Sequence, residues 1–229
     1  MSFILLILFL ILLMTGPQLW VRWVFYRYGH DQPGIPGTGG ELAKHLIKRF
    51  EIAEVIVEET APNTDHFDSN TPAVRLSADN FNGKSLTAIA VAAHEVGHAL
   101  QWHNKETVFR LRSKYLPMAK QLQRIGFLLL SLSPLAALLT RVPAAGAIPF
   151  IGGLLATLCG AAAYLIILPE EWDASFNKAM PILIDGEYIT PEQEAATKRI
   201  LRAAALTYAA AALASILQFW RWLPLLLRR

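Results

Sequence analysis

This chain has one cysteine and little charge. The cysteine, Cys159, lies inside a long apolar run. A lone thiol excludes an intrachain disulfide and a thiolate metal site built from this chain, and it reads as a small packing residue. Charged residues make up 17% of the 229 residues and hydrophobic ones 54%, with a mean hydropathy of +0.36. Soluble domains carry about 25% charged residues, so this composition points to a membrane protein. No basic residue precedes the first apolar run, and Arg22 and Arg27 follow it. Those flanks are wrong for a cleaved secretory signal and read as an uncleaved anchor. No ionisable residue sits in the middle of any apolar run, which argues against a metal transporter. No nucleic-acid motif is present. The pI of about 9.1 therefore reads as juxtamembrane charge near anionic lipid.

What the chain does have is bunched apolar sequence. Phe3 to Met14 is free of charge and continues to Trp20; Ile125 to Thr140, Ala144 to Leu168 and Ala203 to Trp220 are free of charge as well. A helical crossing takes about 20 apolar residues. Spans are expected at about 3–24, 122–141, 144–168 and 203–222. The second is short and contains Pro134. It crosses with help from its flanks or in a thin or tilted passage; a re-entrant or surface helix is the alternative. Trp20, Trp23, Phe25, Tyr26 and Tyr28 form an aromatic belt after the first run. Arg110, Arg112, Lys114, Lys120 and Arg124 precede the second span, and Lys178, Lys198, Arg199 and Arg202 lie between the third and fourth. The turn between the second and third holds only Arg141, while Arg228 and Arg229 run against the trend. This bias predicts a multi-pass membrane protein with its polar head in the cytoplasm.

The head reads as small and α+β, at about 28–120 plus 169–202, within one integrated membrane domain over 1–229. Thr38 caps a helix to about Arg49, with Leu42, Ala43, Leu46 and Ile47 as its buried stripe. Ala53 to Glu58 reads as a strand, Ala61 to Pro72 as a turn-rich segment, and Ala73 to Ser77 as a second strand. Val74 and Leu76 share one face of that strand and Arg75 takes the other. Ser85 or Thr87 caps a helix over Leu86 to Trp102, and a polar helix from Asn104 to Arg124 leads into the membrane.

The Leu86 helix carries His94, Glu95, Val96, Gly97 and His98, the pattern H-E-x-x-H. Helix positions four apart lie about 40° apart in projection, so the two imidazoles can aim at one Zn²⁺. Glu95 falls beside them, where it can take a proton from water. The surrounding residues are uncharged, as suits a helix buried behind a catalytic site. Two histidines leave a poor zinc site, so a third ligand is required. His103 is nine residues from His94 and faces away; His30 and His45 lack a ligand at helical spacing; His66 sits in the turn-rich segment. The better candidates are Glu170, Glu171 and Asp173, in P-E-E-W-D-A-S just after the third apolar run. The alternative for that cluster is a solvated helix start, where carboxylates are favoured.

Beyond H-E-x-x-H, the chain carries T-D-H-F-D at Thr64 to Asp68, V-R-L-S at Val74 to Ser77 and F-N-G-K-S at Phe81 to Ser85. It continues with A-V-A-A-H-E-V-G-H-A-L-Q at Ala90 to Gln101, E-W-D-A-S at Glu171 to Ser175 and L-T-Y-A-A-A-A-L at Leu206 to Leu213. In these pieces, over nearly its whole length, it resembles the bacterial neutral zinc metallopeptidases of the YugP-like membrane family. That family is similar in layout to membrane peptidases of the heat-shock and CAAX-processing type, which place H-E-x-x-H, then membrane spans, then E-x-x-A-D. The resemblance implies that Glu171 is the third ligand, that Ala174 matches the Ala, and that Ser175 stands where the Asp would be. The Asp of those relatives orients a zinc histidine, and a serine is a weaker substitute. Asp173, two residues from Glu171 on a helix, is expected to point elsewhere.

The expectation is a mostly α integral membrane protein with a zincin-like (gluzincin) head. It holds one catalytic Zn²⁺ on His94, His98 and Glu171, with Glu95 as general base. It cleaves membrane or unfolded proteins, and its other partner is the lipid bilayer. The strand Ala73 to Ser77 is expected to pair with an extended substrate. Tyr208 is a candidate oxyanion donor, or else a packing tyrosine. The alternative function is a non-catalytic zinc-binding membrane scaffold or adaptor. Glu95 argues against it, because a structural zinc needs no base beside it and closes its site with four ligands.

Overall fold

The computed structural model describes residues 2–218. It is 73% helical, with one three-stranded sheet. The chain opens with α1 (Ser2–Arg27) and α2 (Gly39–Arg49), followed by β1 (Ile56–Thr60), β2 (His66–Asp68) and β3 (Ala73–Ser77). Next come α3 (Ala78–Asn82), α4 (Leu86–His103), α5 (Thr107–Thr140), α6 (Pro143–Ile166) and α7 (Leu168–Trp172). A π-helix (Asp173–Ala179) runs into α8 (Met180–Asp185), and α9 (Pro191–Ala205) and α10 (Thr207–Gln218) complete the described chain.

Two compact units divide these elements. One comprises Trp20–Arg110 with Pro169–Thr207. Its helices start where the sequence supplies caps. Thr38 Oγ1 accepts from the Glu41 amide at 3.2 Å, and Glu41 Oε2 accepts from the Thr38 amide at 2.8 Å. This reciprocal box fixes the start of α2 and turns Leu42, Ala43, Leu46 and Ile47 into the core. Ser85 does the same for α4, accepting from the Ala88 amide at 3.1 Å. Helix α4 runs through the middle of the unit, packed by α2, β3, α9 and the π-helix. Its small apolar residues Ala90, Ala92, Ala93 and Ala99 are fully buried, which lets neighbours approach it closely.

The sheet departs from expectation in three ways. Strand β1 begins at Ile56, not Ala53. Glu51 takes a positive φ of 57°, and Ile52 and Val55 tuck into the core, so the chain is still turning where the alternating pattern starts. Strand β2 falls inside the segment expected to be only turns. It pairs antiparallel with β3, Phe67 facing Val74, and its Phe67 ring packs on Trp102 and Phe109. Three residues carry too little alternation to be read locally; tertiary burial of Phe67 makes the strand. The third departure concerns β3. The order is β1-β3-β2, with β1 parallel to β3, so both edges of β3 are occupied and it cannot accept a substrate strand. Arg75 ties the three strands together, bonding Glu58 of β1 at 2.5 Å and Asp68 of β2. Burial alone would raise the Asp68 carboxyl. Bonds from the Asn70 amide, Arg75 and Thr71 outweigh it and bring it down to about 2.

The other unit comprises the residues up to Leu19, Leu111–Leu168 and those from Tyr208 onward. Here α5 and α6 form an antiparallel hairpin turned at Arg141, whose φ is +56°. Glycine makes the contact possible: a Cβ on Gly153 would lie 2.9 Å from the Leu130 amide nitrogen, and one on Gly126 2.5 Å from Thr157 Oγ1. Small residues at such crossings let the two backbones approach closely. Leu138, Ile148, Ile151 and Leu155 remain outward and exposed.

Thr107–Thr140 and Ala144–Asp185 are the two described helical stretches long and apolar enough to cross a membrane. The first is one 34-residue helix containing Pro117 and Pro134. The expected polar helix and short second span are thus one element, starting at Thr107 rather than Asn104. The region expected as the first span is helical as α1, and the third as α6. The fourth is interrupted: 203–205 end α9, Leu206 breaks the helix, and α10 follows. Residues 219–222 of that expected span lie outside the described residues.

Candidate metal centre

Helix α4 presents His94 and His98 one turn apart, and α7 presents Glu171 to them. All three are buried, at 4%, 1% and 1% exposure. His94 Nε2 and His98 Nε2 are 3.2 Å apart, and Glu171 Oε2 is 3.4 Å from each. Among the described residues this is the one group of three or more ligand-type side chains converging closely enough to hold a metal ion. The spacing can be tested against zinc. A tetrahedral ion with bonds of about 2.0–2.1 Å sets its ligand atoms about 3.3–3.4 Å apart. The three observed edges match that triangle, and two imidazoles with one carboxylate form a donor set that zinc accepts while leaving a fourth position open.

Glu95 follows His94 on α4 and is 6% exposed. It does not join the converging group. Its Oε2 is buried with no hydrogen-bond partner among the described residues. A buried, unpaired carboxylate oxygen is costly, and such groups are retained where they do chemistry.

The residue standing in the place of the usual Asp does more than expected. Ser175 Oγ lies 3.0 Å from His94 Nδ1 and 3.2 Å from the Leu201 carbonyl. A carbonyl only accepts, so the single hydroxyl proton goes to Leu201 and Ser175 accepts from His94 Nδ1–H. That leaves His94 Nε2 unprotonated toward the cluster. Ser175 is fully buried in the π-helix, whose widened turn is marked by the Met180 amide bonding the Ser175 carbonyl five residues back.

Sequence reasoning missed what surrounds His98. Glu170, fully buried, places Oε1 2.7 Å from His98 Nδ1, and Gln101 Oε1 lies 3.0 Å from the same nitrogen. Asp173, expected to point elsewhere, accepts from Gln101 Nε2 at 2.9 Å. The available signal was Gln101 itself, a polar residue one turn after His98 in an otherwise apolar stretch.

The remaining histidines are engaged away from the cluster. His103 pairs with Glu54 at 2.7 Å, His66 Nδ1 donates to the Thr64 carbonyl at 2.6 Å, and His45 Nε2 is 2.8 Å from the Tyr188 hydroxyl. His30 stands edge-on to Tyr26. Tyr208, in the other unit, stacks on Tyr164 and lies under the Arg112 guanidinium.

Gly97, inside the H-E-x-x-H pattern, holds the two halves of the cluster together. A Cβ there would lie 2.8 Å from the Ala174 carbonyl oxygen. The π-helix backbone can meet α4 only at a glycine, and Glu171 and Ser175 flank that contact. Gly97→Ala is expected to force them apart, with an overpacking cost of about 1–3 kcal/mol and a loss of bound zinc. Thermal unfolding and metal analysis check this. A Gly97→Ala protein with wild-type stability and zinc content would show that the contact does not position the site.

Comparison with known proteins agrees with the site. No solved structure matches the chain. "Putative membrane protease YugP" of Bacillus subtilis (strain 168) is 32% identical over 229 residues, covering 97% of this chain and 97% of that protein. The model of the family described as "Putative neutral zinc metallopeptidase" matches residues 3–227. With the match spanning almost every residue, this chain belongs to the "Putative neutral zinc metallopeptidase" family.

Proposed function

We propose that this protein is a membrane-embedded zinc-dependent endopeptidase with a zincin-like head, hydrolysing peptide bonds of membrane or unfolded proteins. The observation that carries the reading is the triangle of His94 Nε2, His98 Nε2 and Glu171 Oε2, with Glu95, whose buried Oε2 has no hydrogen-bond partner among the described residues, one residue from His94. Zinc held there supplies Lewis-acid polarisation of a carbonyl and of water. His94, His98 and Glu171 would hold the ion. Glu95 takes the proton from the attacking water, keeps it on its carboxylate, and delivers it to the leaving amine. The burial of all four side chains excludes bulk water and strengthens each charge interaction.

An extended substrate pairs with a sheet edge. Since β3 is internal, the edge assigned to this role is β2, whose Phe67 already packs on Trp102 of α4. Membrane substrates fit a protein whose α5 and α6 carry exposed Leu and Ile along their length, and a relative described as "Putative membrane protease YugP".

The test is metal removal from the purified protein in detergent. Cleavage of unfolded casein is expected to stop on chelation and return with about one equivalent of zinc, as a single three-ligand site requires. Tight zinc binding with no cleavage of casein or of detergent-solubilised membrane proteins would favour the scaffold reading.

Orientation is proposed from the Lys and Arg bias, which favours a cytoplasmic head. In Cys159→Ala protein, a cysteine at Asp68 should be protected from an impermeant thiol reagent in intact cells, and one at Ala145 labelled. The reverse labelling would put the head outside.

A further inference from the structure

The outer nitrogen of the site's second histidine faces both a buried amide, Gln101, and a buried carboxylate, Glu170. We propose that Gln101 is a positioning residue that locks His98 as its Nδ1–H tautomer, so that Nε2 is presented to the metal. The inference rests on the reading of His98 as a metal ligand.

The argument begins with the direction of the Gln101 amide, which its neighbours decide. Its Nε2 lies 3.0 Å from the Glu170 main-chain carbonyl and 2.9 Å from Asp173 Oδ2. A main-chain carbonyl can only accept. Asp173 Oδ2 also faces the Lys178 ammonium at 3.1 Å, and Asp173 Oδ1 accepts from Asn177 at 2.8 Å, so that carboxylate is an acceptor on both oxygens. The two amide hydrogens of Gln101 therefore have two acceptors, and turning the amide over would set oxygen against oxygen at both. Oε1 is left facing His98 Nδ1 at 3.0 Å. An amide oxygen has no proton to give, so the proton between them belongs to His98. Glu170 Oε1, 2.7 Å from the same nitrogen, is repelled by a lone pair there and attracted by N–H. Gln101 is completely buried, so water does not compete for either end of its amide.

The arrangement extends outward in one direction. Lys178 Nζ holds Asp173 at 3.1 Å and Glu106 at 3.0 Å, which anchors the far end of the chain His98–Gln101–Asp173–Lys178. Ser175 performs the equivalent task for His94. Both imidazoles thus carry their proton on the outer nitrogen, and both Nε2 atoms face the cluster with lone pairs. At 3.2 Å from each other and 3.4 Å from a carboxylate oxygen, three lone pairs repel unless a cation sits between them.

The experiment has two measurements, neither of which is catalytic activity. In metal-free wild-type protein labelled with ¹⁵N-histidine, long-range ¹⁵N–¹H correlation should show His98 as the Nδ1–H tautomer, assigned by the signal lost in His98→Gln. His98 in the Nε2–H form would overturn the proposal whatever the variants do. In Gln101→Met, similar in size but without an amide, zinc affinity by chelator competition should fall about 10–100-fold, the usual effect of removing such support. The cobalt-substituted variant should show a shifted visible ligand-field band. Thr197→Val removes another fully buried polar group of the same unit and should change neither. Zinc affinity and cobalt spectrum unchanged in a folded Gln101→Met protein would overturn the proposal; if that variant does not fold, the wild-type tautomer decides. A wild-type protein that binds no zinc would instead remove the peptidase reading on which the proposal rests.

Discussion

Glu95→Gln protein is expected to bind zinc as wild type does and to lose cleavage by about 10²-fold or more, the usual contribution of general-base assistance. The substitution keeps size and shape and removes only the basic oxygen. Two features make the effect large. Glu95 lies one residue from His94 yet outside the converging triangle, so the ion does not depend on it. Its Oε2 has no hydrogen-bond partner among the described residues, so the native fold does not depend on it for a bond. An amide there can even relieve the cost of burying a bare carboxylate, and the variant should unfold at the same temperature or higher. Zinc content, thermal midpoint and casein cleavage, measured on one preparation, separate the effects. Cleavage at the wild-type rate would sink the proposed mechanism. Loss of zinc together with cleavage would make Glu95 a ligand.

The second large effect is expected at the third ligand. Glu171→Ala should hold well under one zinc per chain, because two imidazoles alone leave a poor site; His94→Ala and His98→Ala should behave alike. Glu170→Ala and Asp173→Ala provide the contrast. Both side chains are near His98 or its support, but neither belongs to the triangle. They should weaken zinc binding without abolishing it. Full zinc in Glu171→Ala with none in Glu170→Ala would transfer the ligand role to the neighbouring carboxylate.

That contrast bears on how the site is built. Glu170 and Glu171 are adjacent, and both are almost completely buried. One reaches the Nε2 side of the histidine pair and the other the Nδ1 side of His98. Buried carboxylates are expensive unless paired or metal-bound, so the two are retained only where cationic or hydrogen-bonding partners meet them.

Much of this protein was written locally. H-E-x-x-H in an apolar stretch marked the helix on which His94 and His98 converge, because helical periodicity alone brings positions four apart onto one face. Thr38 with Glu41, and Ser85, marked helix starts because caps act over three residues. Strand β3 read correctly from Val74, Arg75 and Leu76. The apolar helices α5 and α6 were legible from composition, since long charge-free runs fall on both. Glu171 was singled out from three neighbouring acids only by a resemblance.

What the sequence could not decide depends on distance in space. Glu171 lies 73 residues beyond His98, and only packing brings its oxygen to 3.4 Å. The weak alternation of His66–Asp68 hid a strand that exists because Phe67 finds Trp102 and Phe109. That strand, with β1 on the other side, made β3 internal and left β1 and β2 as the edges of the sheet. Asp173 looked misdirected from its helical spacing, until a buried glutamine from another helix crossed to meet it. Ser175 looked a poor substitute for aspartate, until a main-chain carbonyl took its proton and left it an acceptor. Local periodicity determines which face a residue occupies; which partner fills that face, and hence which nitrogen of each histidine carries the proton, is decided only when the helices pack.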